Sequence, residues 1–139
     1  LEEKTMDIEA DVIGLDTDKK MIPLINHAKV GGELIKDFIS KDILDKIVND
    51  TKNGGAILTN LMNTSAYYSP AASVTLLVES IVNNSKNILN CSTLLNGEYG
   101  IYNKFIGVPV VIGKSGIEKI IIKNLDEEEL KLLKDISPL

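Results

Sequence analysis

A chain of 139 residues is long enough for one domain with one core, and its 44% hydrophobic and 25% charged content excludes disorder throughout. A formal charge of -5 without a basic patch disfavours nucleic acid as a partner, no apolar run approaches the ~20 residues that span a bilayer, and a single cysteine, Cys91, excludes an internal disulfide. All 15 basic residues are lysine, so the planar fork with which arginine grips a carboxylate is missing.

The chain opens Leu1-Glu2-Glu3-Lys4, without the apolar stretch of a signal peptide, which predicts a cytoplasmic protein. A start on Leu rather than Met reads as a piece of a longer polypeptide. Ile8 to Leu15 is β-branched and ends in the polar stretch Asp16 to Lys20, the pattern of a strand running into a loop. Asp16 and Asp18, two carboxylates in a lysine-containing loop, are expected to be solvated rather than to hold a metal. Met21 to Val30 is read as extended, with Pro23 opposing a helix and Gly31-Gly32 making a turn.

From Lys41, Ile43, Leu44, Ile47 and Val48 recur at helical spacing, and the pattern resumes after Gly54-Gly55 with Ile57, Leu58, Leu61 and Met62. Two adjacent glycines cost a helix about 2 kcal/mol relative to alanines, which leaves either one kinked helix or two broken ones. Ala66 to Asn83, with Val74, Leu77, Val78, Ile81 and Val82, predicts a second helix buried on much of its circumference, with Pro70 in its first turn. Cys91 falls in an apolar run and is expected to be a small buried hydrophobe.

Ile88 to Leu95, Phe105 to Ile112 and Ile117 to Ile122 have strand length and composition, separated by turn signals at Asn96-Gly97, Gly100 and Lys114-Ser115-Gly116. Consecutive strands with short turns pair antiparallel. Asp126 to Asp135 predicts a final helix with Asn124 as its N-cap and Glu127-Glu128-Glu129 as a solvated first turn. The fold class that follows is α+β: one domain over residues 1–139, an antiparallel sheet with long helices packed on one face.

Five blocks in order carry a resemblance. They are Val12-Ile13-Gly14 with Met21-Ile22-Pro23-Leu24, Val30-Gly31-Gly32, Asn53-Gly54-Gly55-Ala56, Ser65 to Ala72, and Asn96 to Ile101 with Gly107 to Lys114. Together they resemble the C-terminal, substrate-side domain of the NAD-dependent lactate/malate dehydrogenases, in their malate-dehydrogenase-like branch. The resemblance implies a reaction that passes a hydride between a nicotinamide and the carbon bearing a 2-hydroxyl. That reaction needs a glycine-rich loop for the pyrophosphate, an arginine fork for the substrate carboxylate, and a histidine oriented by an aspartate as proton acceptor.

In that family the glycine loop, the arginines and the aspartate precede the part this chain resembles, so an NAD-binding domain is expected to be absent here. The family's loop reads Gly-x-His-Gly-Asp-x-Met. This chain reads Gly14-Leu15-Asp16-Thr17-Asp18-Lys19-Lys20-Met21, one residue longer. The histidine position falls at Asp16 counted from Gly14, or at Thr17 counted back from Met21. Neither side chain is an imidazole, and His27, past Pro23, is expected to be a packed or surface residue.

By resemblance Ser65 and Ala66 line the substrate pocket and Pro70 the cofactor side, while the plainer reading makes Ser65 or Thr64 the N-cap of a helix. The resemblance thus implies the substrate half of a malate or lactate dehydrogenase, inactive alone, with NAD expected only for the full-length enzyme and none for this chain by itself. A 2-hydroxy or 2-keto acid would bind only with an NAD domain present. A homo-oligomer is expected, with Leu77, Val78 and Ile81 as contact candidates. The other reading is a non-catalytic binding or oligomerisation module that reuses the fold.

Overall fold

A computed structural model describes residues 7–17 and 19–136. Asp18 and the opening Leu1-Glu2-Glu3-Lys4 lie outside the described residues. The main sheet is built on two long strands, β6 (Asn87–Asn96) and β7 (Tyr102–Gly113), which pair antiparallel from Asn87↔Ile112 to Asn96↔Tyr102, with an irregularity at Leu95/Asn96. Strand β8 (Gly116–Ile120) returns along β7. The short hairpin of β2 (Val12–Gly14) and β3 (Met21–Pro23) joins the sheet through Gly14↔Gly107. The order is β3-β2-β7-β6, and β2 and β8 share the edge of β7 that β6 leaves open.

A proline sits in that central strand. The carbonyl of Pro109 accepts a hydrogen bond from Ile121 N at 2.8 Å, so the position of its missing N–H also faces the shared edge, between the residues taken by β2 and those taken by β8.

Alternation along β7 sets the core. Ile106, Val108, Val110 and Ile112 are buried on one face and meet Ile13, Ile22, Leu24, Leu95, Ile101 and Leu133. The expected run from Ile8 to Leu15 is two strands instead. β1 (Ile8–Glu9) pairs with β4 (Lys29–Val30), and β4 with β5 (Glu33–Leu34), in a separate three-stranded sheet. The chain changes sheets at Ala10-Asp11, where the Asp11 carbonyl accepts from Leu24 N at 2.9 Å. Met21 to Val30 is not extended throughout, because a 3-10 turn at Ile25–His27 interrupts it. Gly31 and Gly32, with φ of 59° and 87°, make the two-residue β4–β5 turn.

Three helices complete the α+β fold: α1 (Lys41–Met62), α2 (Tyr68–Val82) and α3 (Glu127–Asp135). α1 runs unbroken through Gly54-Gly55 for 22 residues and ends at Asn63 in the left-handed region, φ 54°. α2 lies over β7, while α1 and α3 pack beside β3. Pro70 sits in the first turn of α2, but neither Thr64 nor Ser65 caps it. Tyr67 holds the N-cap position, without a side-chain hydrogen bond.

The expectation of a helix buried on much of its circumference is not met. Leu77 and Ile81 pack on the core, so these two contact candidates serve the domain's own interior, while Val74, Leu76, Val78 and Val82 face outward. On α1 only Leu44 is buried, and Ile43, Ile57, Leu58 and Leu61 are exposed. The sheet covers a stripe of α2 but only the first half of α1, and nothing within the described chain covers the rest.

α3 is capped by Asp126, not Asn124. Asp126 Oδ1 accepts from Glu129 N at 2.8 Å and Glu129 Oε2 accepts from Asp126 N at 3.0 Å, a reciprocal capping box.

Candidate functional site

The β2–β3 loop is a hairpin that hydrogen-bonds to itself. Leu15 N donates to Lys20 O at 3.0 Å, which extends the β2–β3 pairing by one step beyond Gly14↔Met21. Above it Thr17 N donates to Leu15 O at 2.7 Å, and both Lys20 N and Met21 N donate to Thr17 O at 2.9 and 3.0 Å. Asp16 and Thr17 are therefore held on a closed turn with exposed side chains.

Beside the loop lies a cleft of about 430 Å3. The hairpin from Val12 to Asp16, with Met21, forms one wall, and Asn90, Ser92 and Gly107 form the other. Among the described residues Asp16 is the one ionisable residue in that lining, and Thr17 is not part of it. Asn90 Nδ2 donates to Asp11 Oδ1 at 3.4 Å, and Asp11 Oδ2 pairs with Lys123 Nζ at 2.7 Å. Lys123 N in turn donates to the Tyr99 hydroxyl at 2.9 Å, and burial pushes the pKa of that phenol up. One residue of the far wall, Asn90, is thus linked through Asp11 and Lys123 to Tyr99.

A second cleft, about 290 Å3, lies between α2 and β6 and shares Asn90 with the first. Cys91 lines it, half-buried, and burial raises its thiol pKa, which keeps it a neutral packing group. A third and larger cleft, about 540 Å3, separates α1 from α3 and contains none of the site positions named from the sequence.

Ser65 is exposed and Ala66 half-buried in the α1–α2 connection, and Pro70 is exposed at the start of α2. None of the three lines any of these clefts. His27 is held elsewhere than the loop: its Nε2 lies 3.0 Å from Oε2 of the buried Glu129. Asn90 and Ser92 were not singled out from the sequence, and Gly107 was named only as the start of the Gly107 to Lys114 block. The one signal for them was Gly107, an isolated glycine in a strand pattern, which marks close backbone approach.

Among the described residues no group of three or more His, Cys, Asp or Glu is placed to hold a metal, and no helix is long and apolar enough to cross a membrane.

The model of the lactate/malate dehydrogenase alpha/beta C-terminal domain matches residues 2–138. Malate dehydrogenase from Flavobacterium johnsoniae is 46% identical over 132 residues, covering 95% of this chain and 42% of that protein. The crystal structure of Cryptosporidium parvum malate dehydrogenase superposes with a TM-score of 0.89 at 40% identity, over 95% of this chain and 44% of that one. The structure of lactate dehydrogenase from Eimeria maxima with NADH and oxamate gives a TM-score of 0.89 at 37% identity, over 95% of this chain and 43% of that one. The chain therefore spans less than half the length of these relatives. With the family model matching almost from end to end, the chain belongs to the lactate/malate dehydrogenase family, of which it matches the alpha/beta C-terminal domain.

Proposed function

We propose that this chain is the substrate-side half of a malate- or lactate-dehydrogenase-like oxidoreductase and that it neither binds NAD nor oxidises a 2-hydroxy acid on its own. The observation that carries this reading is the composition of the loop cleft, whose lining among the described residues holds one ionisable side chain, Asp16, and no imidazole. Removing a hydride from a 2-hydroxy acid requires that the hydroxyl proton go to a base poised near the working pH. Histidine is the side chain that most often takes that role, and none lines this cleft among the described residues. A substrate carboxylate also needs a fixed cationic fork, and the chain has no arginine.

The residues present do not fit NAD. All strand pairings described are antiparallel, whereas a dinucleotide cradle is a parallel βαβ unit with its glycine-rich turn at a helix N-terminus. No Gly-x-Gly-x-x-Gly occurs in the chain. In this reading residues 1–139 form one domain and a nucleotide-binding domain must come from elsewhere. The Eimeria relative, solved with NADH and oxamate, supports a nicotinamide and a small keto-acid-like ligand for the assembled enzyme. Ser65 and Ala66 would then face the substrate and Pro70 the cofactor, since the α1–α2 connection and the start of α2 are left accessible to a covering domain. The cytoplasm is the compartment this reading assigns.

The second reading, a non-catalytic oligomerisation module, is favoured by one observation, the exposed apolar side of α1 and α2. One experiment separates the two. The purified chain is assayed with NAD and malate or lactate, alone and with a nucleotide-binding half from a relative supplied in trans. Saturable turnover by the chain alone would refute its inactivity. If a variant with histidine placed at Asp16 gains activity in the mixture, the substrate-half reading stands. If no mixture binds NADH more tightly than the nucleotide half does alone, the module reading replaces it.

A further inference from the structure

We propose that α3 works as a strap that sets the geometry of the β2–β3 loop, so that the seating of the C-terminal helix and the shape of the loop change together. The strap is fastened at both ends of the hairpin. Its N-terminal end is fixed just beyond β3. There His27 Nε2 lies 3.0 Å from Glu129 Oε2, and Asn26 Nδ2 donates to Asp126 Oδ2 at 3.2 Å. Asp126 and Glu129 are the two halves of the α3 capping box, so the contacts that start the helix also anchor it to the turn after β3.

Its other end reaches the last residue of β2. A β-carbon built on Gly14 would fall 2.9 Å from Ile136 Cδ1, which places the Ile136 side chain directly against the bare Cα of Gly14, at the base of the loop. Between the two ends Leu133, fully buried, packs in the same cluster as Ile13 and Ile22, one from each strand of the hairpin.

Apart from α3, the hairpin is held by α1 beside β3 and by Ile13 and Ile22 in the core, and its strand pairing to the sheet is slight. β2 meets the rest of the sheet at the single pair Gly14↔Gly107, β3 is an edge strand, and each is 3 residues long. The loop hydrogen bonds are internal and fix its shape only while Gly14 and Met21 stay in register. α3 is the helix that touches the hairpin at both of these ends, which lets its seating bear on that register. The functional weight of this strap rests on the reading of the loop as the site given above, whereas the mechanical coupling does not.

The test is amide hydrogen exchange on the 139-residue chain with two separate variants, Ile136→Ala and His27→Ala. Ile136→Val and His27→Gln serve as milder replacements if either fails to fold. The readouts are the amides of Leu15, Lys20 and Met21 in the loop, those of α3, and those of Val108 and Val110 in β7. Coupling predicts about tenfold faster exchange in the loop and in α3 for both variants, with β7 unchanged. The His27 variant is the stricter arm, because His27 is at the far end of the strap from the loop. Faster exchange in α3 with an unchanged loop would overturn the proposal. Uniform acceleration that includes β7 would also overturn it, since that is global destabilisation, and so would no change anywhere. A chain without catalytic activity leaves each of these outcomes readable, so failure of the functional reading and failure of the strap are distinguishable.

Discussion

Gly14 and Gly107 face each other where β2 meets β7, and neither position has room for a β-carbon. One added to Gly107 would lie 2.9 Å from the Gly14 carbonyl oxygen. One added to Gly14 would collide with the Lys20 carbonyl, at a φ of +104° that side chains avoid. Gly14→Ala is therefore expected to cost roughly 2–4 kcal/mol and Gly107→Ala about 1–2 kcal/mol. Urea denaturation measures both, and an unchanged midpoint for Gly14→Ala would show that the crossing relaxes without cost.

Gly54 and Gly55 are the opposite case. Neither has a positive φ, and a β-carbon at either meets nothing within 4 Å. Replacing each by alanine is expected to stabilise the chain by about 0.4–1 kcal/mol, because the unfolded state loses freedom and the helix loses nothing. Thermal melting of the single and double variants checks this. A lower midpoint would mean that α1 bends at this pair in solution.

Acid sensitivity should report on the α3 cap. The hydrogen bond from Glu129 N, above all, holds the Asp126 carboxyl below its ordinary 3.8. A folded-state pKa below the unfolded one contributes stability that is complete above 3.8 and lost as pH falls through the depressed value. Asp126→Asn keeps a capping oxygen without the titration, so its stability should vary less than wild type below pH 3.8. Asp126→Ala should cost about 1 kcal/mol at neutral pH. Equal acid profiles for wild type and Asp126→Asn would count against the assignment.

At the opposite end of the sheet, Lys86 Nζ pairs with Glu118 Oε2 beside Gly113. That hydrogen bond is the main reason the Glu118 carboxyl lies below its ordinary 4.5. Lys86→Met should raise the Glu118 pKa toward 4.5, read by NMR titration of its carboxyl carbon. Both partners are solvent-accessible, so the loss of stability should be small. A pKa that does not move would mean the pair is not populated in water.

The outward apolar residues of α1 and α2 should make the chain self-associate. Leu61 is 77% exposed and Val78 is 50% exposed, and apolar patches beyond a few hundred Å2 tend to find partners. Light scattering at tens of micromolar is expected to give a mass above 15.2 kDa, and Val78→Lys with Leu61→Lys to reduce it. A wild-type monomer would end this expectation.

Sequence patterning served best for the strands. The sheet, its antiparallel sense and the α+β class can be read from apolar runs of strand length between short turn signals, and the structure adds that Ile106, Val108, Val110 and Ile112 of β7 share the buried face. The helices were harder, because an apolar stripe shows which side can be buried but not whether anything is there to bury it. Hence Leu77 and Ile81 are covered while Val74 and Val78 are not. The cap of α3 was misplaced because Asn124 and Asp126 are both good N-cap residues, and only the reach of Glu129 back to Asp126 N decides between them. In the site, the loop was legible from its flanking glycine and methionine. Its opposite wall was not, because Asn90 and Ser92 come from a strand more than 70 residues away, and pairing register brings them to the hairpin.

Pro109 has a role beyond filling space. It stands where β7 passes its open edge from β2 to β8, and it has no proton to offer there. If β2 slid up along β7, one of its carbonyls would face the pyrrolidine ring with nothing to accept. If β8 extended downward, it would meet the same blank position. The proline is therefore an end stop for β2 and for β8 alike, and the hairpin with its loop cannot shift along β7 toward β8.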